Sequence, residues 1–408
     1  MNLGISERTR SLHQKMALFI KEEIDPVESE FYEEVDVGDR WEYSARQVDI
    51  LEGLKHKARA AGLWNFFLSS NKEVGGVSNV DYAHLAELTG HSSLAPEIFN
   101  CSSPDSGNME VLELFGTEAQ KKDWLEPLLD GRIRSAFAMT EPAVASSDAT
   151  NIVCKAKLDN GEWVINGEKH YITGVADPRC KIIIAMVVTE DETAQRHKRQ
   201  SQILVPKSTP GVELVRPMMV FGHDDAPRGR IHLRFNNVRV PEENIILGRG
   251  RGFEISQSRL GPGRIHHCMR AIGAAEQALE LMCRRSLSRN AFGKPIVELG
   301  GNKEHIANCR VQLEMARLIT LRAAYLMDTV GNKHAHSAIS CAKLAVPTIA
   351  LDIIDKAIQI HGAAGMSQDF PLARMWILHR ALRFIDGPDE VHRGVIAKAE
   401  LKKYQTAQ

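Results

Sequence analysis

Apolar residues recur at helical spacing through the first third of the chain. Residues 7–24 keep this period until Pro26, and residues 48–61 keep it until Gly62. Residues 81–88 and 118–129 predict two further helices, and Asp130-Gly131 closes the block. The pattern then changes. Short runs rich in Ile, Val, Phe, Trp and Tyr cover 133–139, 152–158, 163–166, 169–173, 182–188, 202–206, 212–216 and 231–240. Asp159-Asn160-Gly161, Asn166-Gly167 and Pro210-Gly211 fall between them, and such pairs between short apolar runs signal hairpins. The charged stretch 193–200 reads as an exposed loop. From Gly252 the helical period returns over longer stretches, 265–288, 304–330 and 337–360. The expected fold is therefore α+β and multi-domain. An N-terminal α-helical domain at 1–131 precedes a middle antiparallel β-barrel or sandwich at 132–250 and a C-terminal four-helix bundle at 251–408.

Composition narrows the function classes. At 408 residues and 43% hydrophobic, the chain supports more than one core. A net charge of -1 speaks against a nucleic-acid binder. The seven cysteines are odd in number and form no C-x-x-C pair, so reduced, buried thiols are expected. Residues 1–15 are polar and lack a signal-peptide core. The longest fully apolar run, 182–188, is far short of a membrane span. A cytoplasmic, bacterial protein with no membrane span is the expectation.

Candidate chemistry sits at a few places. No G-x-G-x-x-G follows a strand, and neither a P-loop nor a G-x-S-x-G elbow is present. His266-His267 and His334-x-His336 do not suggest metal, because adjacent histidines on a helix point apart and no acidic or thiol partner is suitably spaced. Met139-Thr140-Glu141-Pro142 ends a strand in a polar turn, and Ser146 and Ser147 follow. Such a turn either closes a hairpin or hydrogen-bonds the edge of a ligand. Tyr171 and Thr173, two apart on a strand, share one face, where they form a cross-strand pair or stack on a flat ring. Arg289 follows a long helix and suits either helix-end carbonyls or a phosphate. The small-residue turn Gly362-Ala363-Ala364-Gly365 lets a flat ligand approach backbone. Beyond it, Asp386 precedes Gly387-Pro388, as a turn cap or as an aimed carboxylate.

The order Met139-Thr140-Glu141-Pro142, Ser147-Asp148, Tyr171-Ile172-Thr173, Arg289-x-x-Phe292-Gly293-Lys294, Gln359-Ile360-x-Gly362-Ala363-x-Gly365 resembles the acyl-CoA dehydrogenase family over nearly the whole chain. The resemblance implies an FAD. Met139 and Thr140 match positions at the flavin's pyrimidine edge, and Ser146 or Ser147 a serine meeting cofactor phosphate or the CoA portion. Tyr171 stands where a tryptophan is usual beside the flavin, and Thr173 near its N5. Arg289 and Phe292 resemble residues reaching the FAD of a neighbouring subunit, and Gln359, Gly362 and Ala363 match the segment at its adenosine end. A homodimer or homotetramer is thereby implied. Substrate contacts are expected from Ser147, Arg264 and Gly387.

The family's usual glutamate base corresponds to Asp386. A minority place it one residue before an arginine on the first long bundle helix, but here Gly263 precedes Arg264. Asp386 is thus expected to abstract an α proton while the β hydrogen leaves as hydride to flavin N5, electrons passing to an electron-transferring flavoprotein. The run 386–392 looks like the branch whose eukaryotic members are often fused to an aminoglycoside-phosphotransferase-like kinase domain. That branch implies long or 4-hydroxy and 4-phospho acyl-CoA substrates. Alternatives on the same fold are an acyl-CoA oxidase, a flavin monooxygenase, or a non-catalytic DNA-associated homologue.

Overall fold

The computed structural model describes residues 1–405. In chain order the main helices are α1 (Glu7–Phe19), α2 (Asp25–Glu33), α3 (Ala45–Ala60), α4 (Asn79–Thr89), α5 (Asp105–Phe115), α6 (Gly252–Ser288), α7 (Asn302–His361), α8 (Leu372–Leu382) and α9 (Asp389–Gln405). The strands are β1 (Arg134–Ala138), β2 (Lys155–Asp159), β3 (Glu162–Thr173), β4 (Cys180–Val188), β5 (Gln200–Pro206), β6 (Val212–Pro217), β7 (Arg230–Pro241), β8 (Asn290–Ala291) and β9 (Lys294–Pro295). An N-terminal helical region, a middle curled β-sheet and a C-terminal helical region follow one another, as the pattern of apolar positions predicts. Chain contacts divide the protein into two compact units, one of Met1–Asp25, Gly76–Pro96 and Gly261–Gln408, the other of Pro26–Gly75 and Glu97–Leu260.

The second unit holds the sheet, in the order β1-β4-β2-β3-β7-β6 with β5 on β4. Most pairs are antiparallel, but β1 runs parallel to β4, and β2 meets β4 in parallel at Lys155 and Val188. β4 is flanked by neighbours and buried on both faces, which explains its unbroken run Ile182-Ile183-Ile184-Ala185. Asn160 and Gly161, both at positive φ, make the two-residue turn that joins β2 to β3. Asn166-Gly167 is a different matter. The sequence reads it as a hairpin, yet β3 runs straight through it with a register irregularity. A Cβ on Gly167 would lie 2.8 Å from the Cα of Cys154, so the glycine marks a close approach of two backbone segments.

β1 is anchored by charge. Asp105 at the start of α5 accepts from the backbone N–H of Ser135 at 2.7 Å and pairs with the Arg134 guanidinium. Arg134 also reaches Glu97 at 2.6 Å, and Arg179 reaches the same carboxylate at 2.6 Å. Those cations hold Glu97 well below the usual carboxylate range despite its burial.

In the first unit, α4 and α6 cross at glycines. A Cβ on Gly273 would lie 1.8 Å from the carbonyl of Glu87, and one on Gly90 would lie 2.1 Å from that of Arg270. Only backbone fits there, so the crossing fixes the height of α6. That helix contains Pro262 without ending, and α7 is broken by Gly331 at φ 78°, ψ 162°. By length and composition, Asn302–Met366 could cross a membrane, but 56% of its most apolar window is buried in the unit, as in the core helix of a bundle. Pro26 does not stop the first helix. A wider turn at Ile20–Ile24 leads into α2, and the proline falls in its first turn, where no N–H is missed.

Candidate active site

Two groups of predicted residues come together, one in each unit. In the sheet unit, β1 ends at Ala138, and Met139 is half-buried while Thr140 is exposed. The turn that follows is held from within. Lys169, fully buried, donates to Glu141 Oε1 at 2.7 Å, to the Met139 carbonyl at 3.1 Å and to the Met186 carbonyl at 2.6 Å. Glu141 in turn accepts from the backbone N–H groups of Val153 and Cys154 at 2.7 and 3.0 Å. The pair satisfies its own charges, which is what a buried ion pair needs to persist. Burial also pushes the neighbouring Cys154 thiol up to about 11, so it stays protonated.

The two serines differ. Ser146 is buried and its hydroxyl accepts from the Glu141 N–H at 2.9 Å, closing the turn, whereas Ser147 is exposed. On β3, His170 and Tyr171 together oppose His232 of β7, a β-bulge that the sequence reading did not foresee. Tyr171 stands there at φ 56° and is exposed, while Thr173 is half-buried. The His170 N–H donates to the Thr140 carbonyl at 2.9 Å, so Tyr171 and Thr140 rise from one ledge.

In the helical unit, Asp386 and Gly387 both have positive φ, 58° and 112°, in the turn between α8 and α9. Three cations surround this turn. Arg264 donates from Nε to the Asp386 carbonyl at 2.8 Å. Lys343, fully buried on the apolar face of α7, donates to the Leu382 carbonyl at 2.6 Å and lies 3.4 Å from that of Gly387. Arg383 pairs with Asp389 at 2.6 Å. Burial pulls the Lys343 ammonium below its usual range, with Cys268 and then Asp386 opposing that shift. The Asp386 carboxylate rests on α6, where a Cβ on Gly263 would lie 3.0 Å from Oδ2. His267 Nε2 is 3.5 Å from the same oxygen. The Gly387 N–H donates to the Phe384 carbonyl at 3.3 Å.

The remaining predicted positions lie at the surface. Arg289 is exposed at the end of α6. Phe292 and Gly293 form the two-residue turn of the β8–β9 hairpin at φ 51° and 79°, and Phe292 is 95% exposed. Gln359, Gly362 and Ala363 are exposed where α7 ends, and Gly365 packs so tightly on Ile358 that a Cβ would lie 2.7 Å from its carbonyl. Sequence reasoning missed Lys169, Lys343 and His267. A lysine within a strand or an apolar helix stripe was the available signal for the first two. For His267 the signal is the divergence of adjacent histidines on a helix: His266 stacks edge-on to Tyr82 and His267 lies 3.5 Å from Asp386. Among the described residues no group of three or more His, Cys, Asp or Glu is placed to hold a metal ion.

Comparison with known proteins covers the whole chain. The family models for the acyl-CoA dehydrogenase N-terminal, middle and C-terminal domains match residues 6–132, 136–238 and 250–401. Acyl-CoA dehydrogenase family member 10 of Mus musculus is 53% identical over 99% of this chain, which spans 38% of that protein. Family member 11 of Gallus gallus is 50% identical over 97% of the chain, which spans 51% of it. The chain thus spans half or less of the length of these animal relatives. It spans 98% of FadE2 of Mycobacterium tuberculosis, named a probable acyl-CoA dehydrogenase, at 48% identity over 99% of this chain. A solved structure described as an acyl-CoA dehydrogenase of Mycobacterium abscessus superposes with a TM-score of 0.94 at 52% identity, covering 98% of this chain and 100% of that one. The butyryl-CoA dehydrogenase of Megasphaera elsdenii gives 0.81 at 25% identity, with the same coverage.

Proposed function

The chain belongs to the acyl-CoA dehydrogenase family, and from that premise we propose that it removes the α and β hydrogens of an acyl-CoA thioester, with FAD as cofactor and Asp386 as the base. One observation carries the reading: the Asp386 carboxylate is seated against Gly263 on a positive-φ turn that Arg264 and Lys343 hold by its carbonyls. A left-handed aspartate is uncommon, and here two cations keep it so. Arg264 therefore serves the placement of the base, and Gly387 the shape of its turn.

The residues present fit a flavin. The bulged Tyr171 offers an exposed flat face beside the exposed Thr140, with Met139 and Thr173 next to them. With the Ser146 hydroxyl committed to its turn, we assign Ser147 to the polar part of cofactor or substrate. Arg289 supplies a guanidinium for a pyrophosphate, and Phe292, Gln359, Gly362 and Ala363 complete the contacts from a second copy of the chain. A bound FAD supplies the hydride acceptor. The side chains do the rest: Asp386 takes the α proton from a turn that Arg264 and Lys343 hold by its carbonyls. Electrons leave to an electron-transferring flavoprotein. The substrate class is a CoA thioester with a long or 4-substituted acyl chain.

The test is anaerobic titration of holoprotein with CoA thioesters of varied length, including 4-hydroxy and 4-phospho forms. The wild type bleaches its flavin with at least one of them. Asp386→Asn, with FAD content unchanged, does not. Undiminished bleaching by that variant overturns the assignment of the base.

A further inference from the structure

We propose that His267 is a positioning residue for the Asp386 carboxylate, and that Arg270 locks it as one neutral tautomer. This rests on Asp386 being the base. His267 and Arg270 lie three residues apart on α6, on one face of the helix. Arg270 Nη2 is 3.3 Å from His267 Nδ1. A guanidinium only donates, so Nδ1 is the acceptor and carries no proton. The ring then holds its single proton on Nε2. Nε2 is the atom that faces Asp386 Oδ2, at 3.5 Å. The contact is longer than a closed hydrogen bond, as catalytic contacts often are before substrate arrives. The backbone that carries Arg270 is fixed, because its carbonyl lies at the glycine crossing of α4 and α6. The histidine is itself 13% exposed and the aspartate 16%, so solvent competes little for either.

The consequence is a directed donor rather than a second base. His267 keeps its proton throughout, and the substrate's α proton ends on Asp386. An N–H aimed at a carboxylate favours its charged form and fixes its rotation. Other charged and titratable groups around the pair include Arg264, His266 and Cys268 on α6, His336 and Lys343 on α7, and Asp389 and His392 on α9. Burial holds His266, His336 and His392 below their usual range.

The experiment reads the base alone. An acyl-CoA with no β hydrogen, 3,3-dimethylbutyryl-CoA, gives up α protons but has no hydride to lose. Exchange of those protons in deuterated water is followed against pH for FAD-loaded wild type, His267→Leu, His267→Gln, Arg270→Met and Asp386→Asn. In His267→Leu the acid limb of the profile moves up by about one pH unit. The Gln amide reaches the same distance with an N–H, and returns the limb most of the way. In Arg270→Met the freed Nδ1 accepts a proton, and a second inflection appears. A His267→Leu limb that matches wild type, even at a lower rate, overturns the positioning role. A missing second inflection in Arg270→Met overturns the tautomer assignment, and it does so even where His267→Leu fails to fold. Persistent exchange in Asp386→Asn defeats the reading of the base instead, and so separates the two failures.

Discussion

At the scale of single residues, burial decides what each charged group does. Lys169 and Glu141 have no exposed surface to speak of, and each carries the other's compensation. Removing one partner leaves an uncompensated charge in the core. Lys169→Met is therefore expected to cost about 3–5 kcal/mol of stability, whereas the double change with Glu141→Gln costs less than the sum. Chemical denaturation of the two variants measures the difference. Because Lys169 also holds the Met139 carbonyl, the single variant is expected to release FAD more readily, which absorbance of the purified protein reads. The same scale shows where sequence reading falls short. Met139, Thr140 and Tyr171 stand out through motif order and residue type. The lysine beneath them is signalled only by its place in a strand, and its pairing is not legible, since its partner lies 28 residues away and only folding brings the two together.

At the scale of elements, turn chemistry is legible when the turn is local and misleading when it is not. Asn160-Gly161 joins two paired strands as its residues predict. Asn166-Gly167 has the same letters but sits where the neighbouring segment at Cys154 demands a glycine, and β3 continues past it. The bulge at His170-Tyr171 has no letter of its own, because it is set by register against β7. The β8–β9 hairpin inverts the usual preference. Its first turn position needs positive φ, which suits Asn or Gly, yet Phe292 occupies it and faces solvent. Phe292→Asn is expected to leave the thermal midpoint of the hairpin's unit unchanged or slightly raised. It is also expected to shift the sedimentation profile toward smaller species and to lower FAD content. Unaltered sedimentation and FAD content would remove Phe292 from the proposed contact with a second copy.

At the scale of the whole molecule, two groups set opposite limits on stability with pH. Burial raises the Glu110 carboxyl to about 8, and one of its oxygens makes no hydrogen bond. An unfolded chain releases that proton near 4.5, so the stability it confers is full below 4.5 and is lost as pH rises through about 8. His392 is the mirror case. Burial first, then Arg264 and Lys343, lower it to about 4 from 6.5, so stability is full above 6.5 and is lost as pH falls through about 4. Glu110→Gln is expected to flatten the alkaline limb, and His392→Gln the acid limb, of a stability profile measured by urea titration across pH 4–9. The α, β, α order of the chain was readable from its periodicity. The grouping of α1 and α4 with the C-terminal helices was not, because it depends on a glycine crossing and on ion pairs such as Glu87 with Arg317, 230 residues apart.

The seat of Asp386 has an evolutionary consequence. A side chain at position 263 would bring its Cβ to 3.0 Å from Asp386 Oδ2, so that the carboxylate has to give way. On the proposed reading of Asp386 as the base, a glutamate introduced at 263 displaces its carboxylate, and loss of Asp386 alone leaves no acid in place. Each single change is harmful, and only the pair restores a carboxylate. On that reading the two placements of the base are separated by sign epistasis. A lineage that has settled on one of them is then held there by the bare helix surface at Gly263.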